Sequence, residues 1–337
     1  NANSFRKRWD NGDVEQMIGK IKPTLLYISE TRTNPKHLTS QVQVRARLQA
    51  EGYTFCLWTW NTDKKPGAHG YAGSALFCKE PPLSSAVSPW HDLPMEQAVS
   101  EQGDGPANVQ GRFISADFGT YLFIGSYTPC SELGEEPTIA RVAYDNAIKN
   151  YITRQKAANP DKPIFFGGDF NVAPTQADVM FEEGFVPSVA GTPGRKPHEI
   201  QAYEDFMTAG DLVDVRTQIQ LEGEQPNSPW TWERAPGQAR TEAVRYPLKM
   251  NIDHWLGSVA AVLGQHSQVQ VLNTTVARKR YGSDHRPTVL RLHVSNETRP
   301  KAAHRQMTPE QTLATGAGDC SSEQLQAIFA TVLEVST

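Results

Sequence analysis

Ile164-Phe165-Phe166-Gly167-Gly168-Asp169-Phe170-Asn171 is the stretch on which the fold turns. Residues 164–166 are an unbroken apolar run, which reads as a short buried strand. The two glycines after it permit a tight turn and the close approach of another backbone. A carboxylate and a carboxamide then stand two residues apart, a spacing that in a strand sends both side chains the same way. One is an anionic base or metal partner, the other a neutral donor and acceptor. The pair suits a phosphate ester that needs a water activated and an oxygen held. A polar turn after a core strand explains the same residues, and the stretch alone does not separate the two readings.

Upstream of it, residues 137–156 form the longest helical pattern and run into Asn159-Pro160. Residues 112–118 and 121–127 predict a hairpin turned at Gly119-Thr120. Residues 24–29 predict a buried strand that delivers Glu30 at its C-terminal end. Residues 14–21 and 38–50 predict helices, 53–60 and 73–77 strands, and 1–8 a polar, basic lead. Residues 81–106 lack periodicity and predict loop, with Trp90 and His91 in it. Downstream, residues 198–207 predict a helix, and 252–256, 268–275 and 287–294 predict strands. Strands and helices alternate without a repeat or internal linker, so residues 1–296 read as one α/β domain with mixed sheets. Residues 297–337 read as a polar linker and a helical extension. A capping box at Thr308-Pro309-Glu310-Gln311 starts it, and its last helix carries an apolar stripe. These helices are expected to dock on their own domain or on a protein partner.

At 337 residues the chain can bury a large core. No apolar run approaches the ~20 residues of a membrane helix, so no membrane partner is expected. A formal net charge of −4 excludes a generic nucleic-acid coat. It leaves room for a nucleic-acid enzyme, which concentrates positive charge locally, as in Arg6-Lys7-Arg8 and Arg278-Lys279-Arg280. The four cysteines are widely spaced, neither a disulfide framework nor a zinc site. They predict an intracellular setting, nuclear or organellar.

Polar residues recur where strands end: Asn1 and Asn3, Glu30, Tyr127, Asp169 and Asn171, Asp253, Asp284 and His285. The Asp-His pair in Gly282-Ser-Asp-His-Arg-Pro287 offers an imidazole with an anionic neighbour, able to carry a proton at neutral pH and bind phosphate. Eight motifs now stand in order: Asn1-Ala-Asn3, Ser29-Glu-Thr-Arg32, His69-Gly-Tyr-Ala-Gly73, Gly111-Arg112, Ser126-Tyr-Thr-Pro129, Gly168-Asp-Phe-Asn-Val172, Ile252-Asp253 and Gly282-Ser-Asp-His285. Together they resemble the endonuclease/exonuclease/phosphatase superfamily. Within it the chain looks most like the exonuclease III-type abasic-site (AP) endonucleases.

The resemblance implies a DNase I-like four-layer α/β sandwich, two packed mixed β-sheets flanked by helices. It implies a DNA substrate and Mg²⁺, or Mn²⁺ in its place. Hydrolysis 5′ to abasic sites is the implied reaction, with 3′-exonuclease or 3′-phosphatase activity at the same site. Glu30 would be the main metal ligand, with Asn3 and Asp284 supporting the metal and Asn1 organising it. Asp169 would act on the attacking water, and Asn171 would hold that water and the phosphate. His285, oriented by Asp253, would bind the phosphate, and Tyr127 would contact it and help the leaving group. Arg141 and Tyr144 would meet the DNA backbone. Tyr71 and Arg112 would build the site wall, and Trp232 and Met250 would face the sugar or base. A strand is also implied ahead of Asn1.

Cys130 and Asn251 stand where the family usually has Asn and Arg. Two other readings stay open: a phosphodiesterase of the same superfamily acting on RNA, a phosphoinositide or a protein–DNA adduct, and, motivated by these two residues, the helical tail and the acidic net charge, a non-catalytic or weakly active subunit of a larger assembly.

Overall fold

The computed structural model describes residues 1–33, 38–61, 70–89, 110–131, 135–181, 192–219, 230–234 and 247–295. The extension at 297–337 and the loop around Trp90 and His91 lie outside the described residues, as does His69. In chain order the first half contains α1 (Phe5–Asp10), α2 (Asp13–Ile21), β1 (Leu25–Ser29), α3 (Leu38–Ala50), β2 (Phe55–Thr59), β3 (Ser74–Cys78), β4 (Ser84–Ala86), β5 (Phe113–Asp117), β6 (Leu122–Tyr127) and α4 (Glu135–Ala158). The second half adds β7 (Ile164–Asp169), β8 (Val179–Met180), α5 (Pro197–Gly210), β9 (Leu212–Asp214), α6 (Val215–Gln218), β10 (Trp232–Glu233), β11 (Lys249–Met250), β12 (Asp253–Ser258), α7 (Val259–Val262), β13 (Val269–Val276) and β14 (Thr288–Val294). No helix among them is long and apolar enough to cross a membrane.

Six strands form one sheet in the order β4-β5-β6-β7-β12-β9, and three form another in the order β1-β3-β2. β13 pairs with β14, and β8, β10 and β11 make a small sheet beside the site. The layers follow from which faces are apolar. Leu57, Leu76, Ile114 and Phe123 fill the space between the two larger sheets. Phe5, Met17, Ile18, Val44 and Phe77 seal the outer face of the three-stranded sheet against α1, α2 and α3. Tyr144, Ile148 and Ile152 of α4 and Phe206 of α5 cover the outer face of the six-stranded sheet. This is the expected four-layer sandwich, with one difference. Only the six-stranded sheet is mixed, through the parallel β6–β7 pair; the three-stranded sheet is antiparallel throughout.

Strand β7 explains its own sequence. Phe166 faces α4 and α5, whereas Phe165 points the other way, toward Val215, Val262 and Val269. A strand covered on both faces loses the apolar–polar alternation of a surface strand, so it appears as a continuous apolar run. Its exit is constrained by Gly168, whose φ is +141°. A Cβ there would lie 2.1 Å from the carbonyl oxygen of Ser126 on β6. The glycine therefore lets two parallel strands close over the point where Asp169 begins.

Helix α1 falls in the stretch expected to be a polar lead. Its apolar residues are only Phe5 and Trp9, one turn apart, with Arg6-Lys7-Arg8 between them. Phe5 is buried and its ring meets those of Trp9, Trp58 and Phe77. One aromatic anchor on the core holds a helix that charge alone would leave solvated.

Gly168→Ala should lower unfolding free energy by on the order of 3 kcal/mol, because the added methyl meets backbone at a strained φ. Urea unfolding of the two proteins measures it; a loss within 0.5 kcal/mol, roughly a surface substitution's effect, would contradict the steric account.

Candidate active site

Strand pairing brings the chemical groups to one end of the two sheets. Asp169 ends β7, and its register partners are Tyr127 on β6 and Asp253 on β12. His285 enters from the turn before β14. Its Nδ1 lies 2.8 Å from Asp253 Oδ2, and its Nε2 lies 3.8 Å from Asp169 Oδ2. The bridge between Trp232 and His285 fixes that turn against β10.

The three titrating groups are buried and set one another's charge. Burial opposes charge on His285, but the Asp253 and Asp169 carboxylates outweigh it and raise its pKa to about 9. Burial pushes the Asp169 carboxyl up to about 6, with the His285 charge and the Asn1 hydrogen bond working against it. Asp253, equally buried, is held below the usual carboxylate range by the His285 charge and hydrogen bond. At neutral pH the site holds an imidazolium between two carboxylates, with its Nδ1 proton committed to Asp253.

Asn171 reaches the site in an unexpected way. β7 stops at Asp169, and Asn171 adopts a left-handed conformation with φ +48°. Its backbone N–H donates to Asp169 Oδ1 at 3.0 Å, a local aspartate turn that replaces strand geometry. Its side-chain nitrogen donates to the Thr128 carbonyl at 2.8 Å, which leaves the amide oxygen as the end able to face a water.

The N-terminal asparagines join by running along the exit of β1. Ala2 N–H donates to the Ser29 carbonyl and Ser4 N–H to that of Glu30. Asn1 Nδ2 donates to Asp169 Oδ2 at 3.0 Å, and Asn3 Nδ2 to Asp284 Oδ1 at 3.4 Å. Glu30 is 8% exposed, has φ +54° and accepts hydrogen bonds from Arg32 through Oε1. Burial pulls Asp284 upward, yet the His285 charge and hydrogen bonds from Trp232 and Asn3 hold it below its ordinary value. Trp232 Nε1 donates to Asp284 Oδ2 at 3.1 Å.

Asp169, Asp253 and His285 have ligand atoms within 4.8 Å of one another. A protonated imidazole with one nitrogen bonded to Asp253 is a poor metal ligand. Glu30, Asp284 and the side-chain oxygens of Asn1 and Asn3 are hard oxygen donors of the kind Mg²⁺ takes. The chemistry of this donor set fits a divalent cation.

Several expected substrate contacts have other surroundings. Tyr71 is 44% exposed, with the Arg112 guanidinium 5.1 Å from its ring. Arg112 itself is 2% exposed. It lies 4.4 Å over the Tyr127 ring, and its Nη1 donates to the Tyr127 carbonyl at 3.1 Å. Burial drives the Tyr127 hydroxyl well above its usual pKa, so it is a neutral donor. Arg141 and Tyr144, expected on the DNA backbone, are 1% and 0% exposed. They lie beneath the ends of β6 and β7 because α4 packs its inner face on the sheet. Met250 is also buried, against the turn at Gly194.

Two contributors escaped the sequence reading. Thr231 Oγ1 accepts from the backbone N–H groups of Ile252 and Asp253, and its carbonyl accepts from Arg286 N–H, which ties β12 to the His285 turn. Its place between Trp230 and Trp232, just ahead of a strand two residues long, gives no polar pattern to find it by. Ser283 accepts from His285 N–H and donates to the Asn1 carbonyl. It stood within the Gly-Ser-Asp-His motif.

Two buried carboxylates and an imidazole thus meet at one end of the stacked sheets. A model of the Endonuclease/Exonuclease/phosphatase family matches residues 1–285, and the chain belongs to that family. It is 26% identical over 208 residues to a DNA-(apurinic or apyrimidinic site) endonuclease of Plasmodium falciparum, covering 54% of this chain and 32% of that one. The chain thus spans about a third of that relative's length. An exodeoxyribonuclease of Bacillus subtilis is 26% identical over 247 residues, 73% of this chain and 82% of the relative. The solved 3′ phosphatase NExo from Neisseria, bound to a product DNA hairpin, has the same fold: TM-score 0.62 at 20% identity, over 86% of this chain and 96% of that one.

The His285 charge also makes a pH signature. Its folded pKa of about 9 exceeds the ordinary 6.5, so the folded state holds the proton more tightly. That stability is complete below pH 6.5 and is lost as pH rises through 9. Over that window the wild type should lose up to about 3 kcal/mol of unfolding free energy that His285→Gln does not lose. Parallel pH slopes in urea unfolding would refute the buried imidazolium.

Proposed function

We propose that this chain is a divalent-metal-dependent nuclease of DNA repair that hydrolyses the backbone 5′ to abasic sites, with 3′-exonuclease or 3′-phosphatase activity at the same site. The observation that carries the reading is the Asp169–His285 contact, 3.8 Å between Oδ2 and Nε2, with Asp253 behind the ring. It sets a base for water beside a cation for phosphate. The substrate comes from the relatives, an abasic-site endonuclease and an exodeoxyribonuclease, and from the fold's likeness to a DNA 3′ phosphatase.

Phosphoryl transfer needs positioning and charge stabilisation more than covalent chemistry. Asp169, ionised above about pH 6, orients the attacking water and takes its proton. The Asn171 amide oxygen holds that water in line. His285 donates Nε2–H to a phosphate oxygen and offsets the negative charge that develops there, while Asp253 keeps the ring charged and aligned. Tyr127 donates its hydroxyl hydrogen bond toward the leaving oxygen. Glu30, with Asp284, Asn3 and Asn1 around it, would hold Mg²⁺ or Mn²⁺, which supplies Lewis-acid stabilisation of the phosphate when bound. Tyr71 and Trp232 stand at the wall where the sugar and base would lie.

With Mg²⁺ and a duplex carrying one synthetic abasic site, the protein should nick the strand 5′ to the lesion, and EDTA should stop it. Asp169→Asn should lower kcat roughly a thousand-fold with DNA affinity nearly unchanged. Equal losses in binding and turnover would remove the water from Asp169's role. Glu30→Ala should raise the Mg²⁺ concentration needed for half-maximal rate by about tenfold or more; an unchanged metal titration would place the cation elsewhere.

A further inference from the structure

We infer that Arg141 is a positioning residue that clamps together the two turns carrying Tyr127, Asp169 and Asn171. The inference rests on the nuclease reading above. Arg141 lies on α4, is 1% exposed, and directs its whole guanidinium inward. Nε donates to Asp145 Oδ2 at 2.6 Å, one helical turn away. Nη1 donates to the Pro129 carbonyl at 2.9 Å and the Asn171 carbonyl at 3.3 Å. Pro129 follows Tyr127 in the turn after β6, and Asn171 follows Asp169 in the turn after β7. One nitrogen therefore joins the exits of two parallel strands.

The junction has reason to need a clamp. Asn171 is held left-handed at φ +48°, a conformation disfavoured for a residue with a Cβ. Its carbonyl is consequently turned away from any strand partner and down toward α4, where Arg141 receives it. The same Nη1 lies 3.8 Å from Glu199 Oε1, in the first turn of α5. Glu199 is 0% exposed, and its other oxygen accepts the Lys196 N–H. Only a planar fork reaches a carboxylate and two carbonyls at once; a lysine ammonium on the same stem lacks that geometry.

The test separates this role from contact with a DNA phosphate. Turnover of wild type and Arg141→Lys is read on the abasic duplex and, independently of DNA, on bis(4-nitrophenyl) phosphate with Mg²⁺. DNA affinity is read at several salt concentrations. The expected result is a kcat lower by roughly 10–100-fold on both substrates, as for misplaced reacting groups. DNA affinity should stay within about twofold and keep the wild-type salt slope, because no phosphate contact is lost. Weaker binding with a salt slope lower by about 1 would make Arg141 a phosphate contact and overturn the inference. So would an unchanged kcat in a folded variant. Should Arg141→Lys not fold, Arg141→Met with Asp145→Leu and Glu199→Gln removes the charge together with both buried carboxylates, a change buried ion pairs tolerate; it should show the same turnover loss. A wild type that cleaves the small diester and spares DNA overturns the substrate reading, and the arginine is still decided by the variant. A wild type inert on both overturns both.

Discussion

The antiparallel pairing of β7 with β12 is the constraint on which the site depends. It sets Asp169 directly opposite Asp253, both buried. Two ionised carboxylates so placed repel, and each is costly to desolvate. His285 relieves both costs at once by presenting Nδ1 to one and Nε2 to the other. The result is an asymmetric pair. Asp253 is pulled below the normal range by a close hydrogen bond, and Asp169, farther from the ring, is pushed up to about 6. Burial thus raises one carboxyl and a close imidazole lowers the other, from identical side chains.

The buried arginines follow the same logic one layer down. Arg112 and Arg141 are among the largest fully buried side chains described. Neither is isolated: each is spread over carbonyls, a carboxylate or aromatic faces close to a catalytic turn. The turns have few regular partners of their own, since they lie beyond the ends of the strands. Guanidinium groups supply the missing donors where the ladders stop.

Much of this was legible in the sequence because the main strands and helices have strong periods. The helix at 137–156 and the strands at 24–29, 121–127 and 252–256 lie where periodicity places them, within the usual fraying of ends. The residues that converge on the site were legible as motifs at strand ends. What was not legible is where a local rule yields to tertiary context. Asn171 departs from strand geometry because Asp169 caps its N–H. Helix α1 depends on Phe5 finding a distant aromatic nest. Arg141 carries a surface residue's chemistry, and only the packing of α4 on the sheet reveals that it points inward. Asn251, in an unusual place for the family, is absorbed by a partly buried network: its amide reaches Asp178, as does Arg216.

The hydrogen bonds that assemble the site span nearly the whole described chain. Asn3 meets Asp284 across 281 residues, Ser283 meets Asn1 across 282, and Asn1 meets Asp169 across 168. Contacts of such sequence separation form late, after most loop-closure entropy has been spent. The geometry therefore ties the site to the complete fold: its groups converge only when segments from both ends of the described chain are in place.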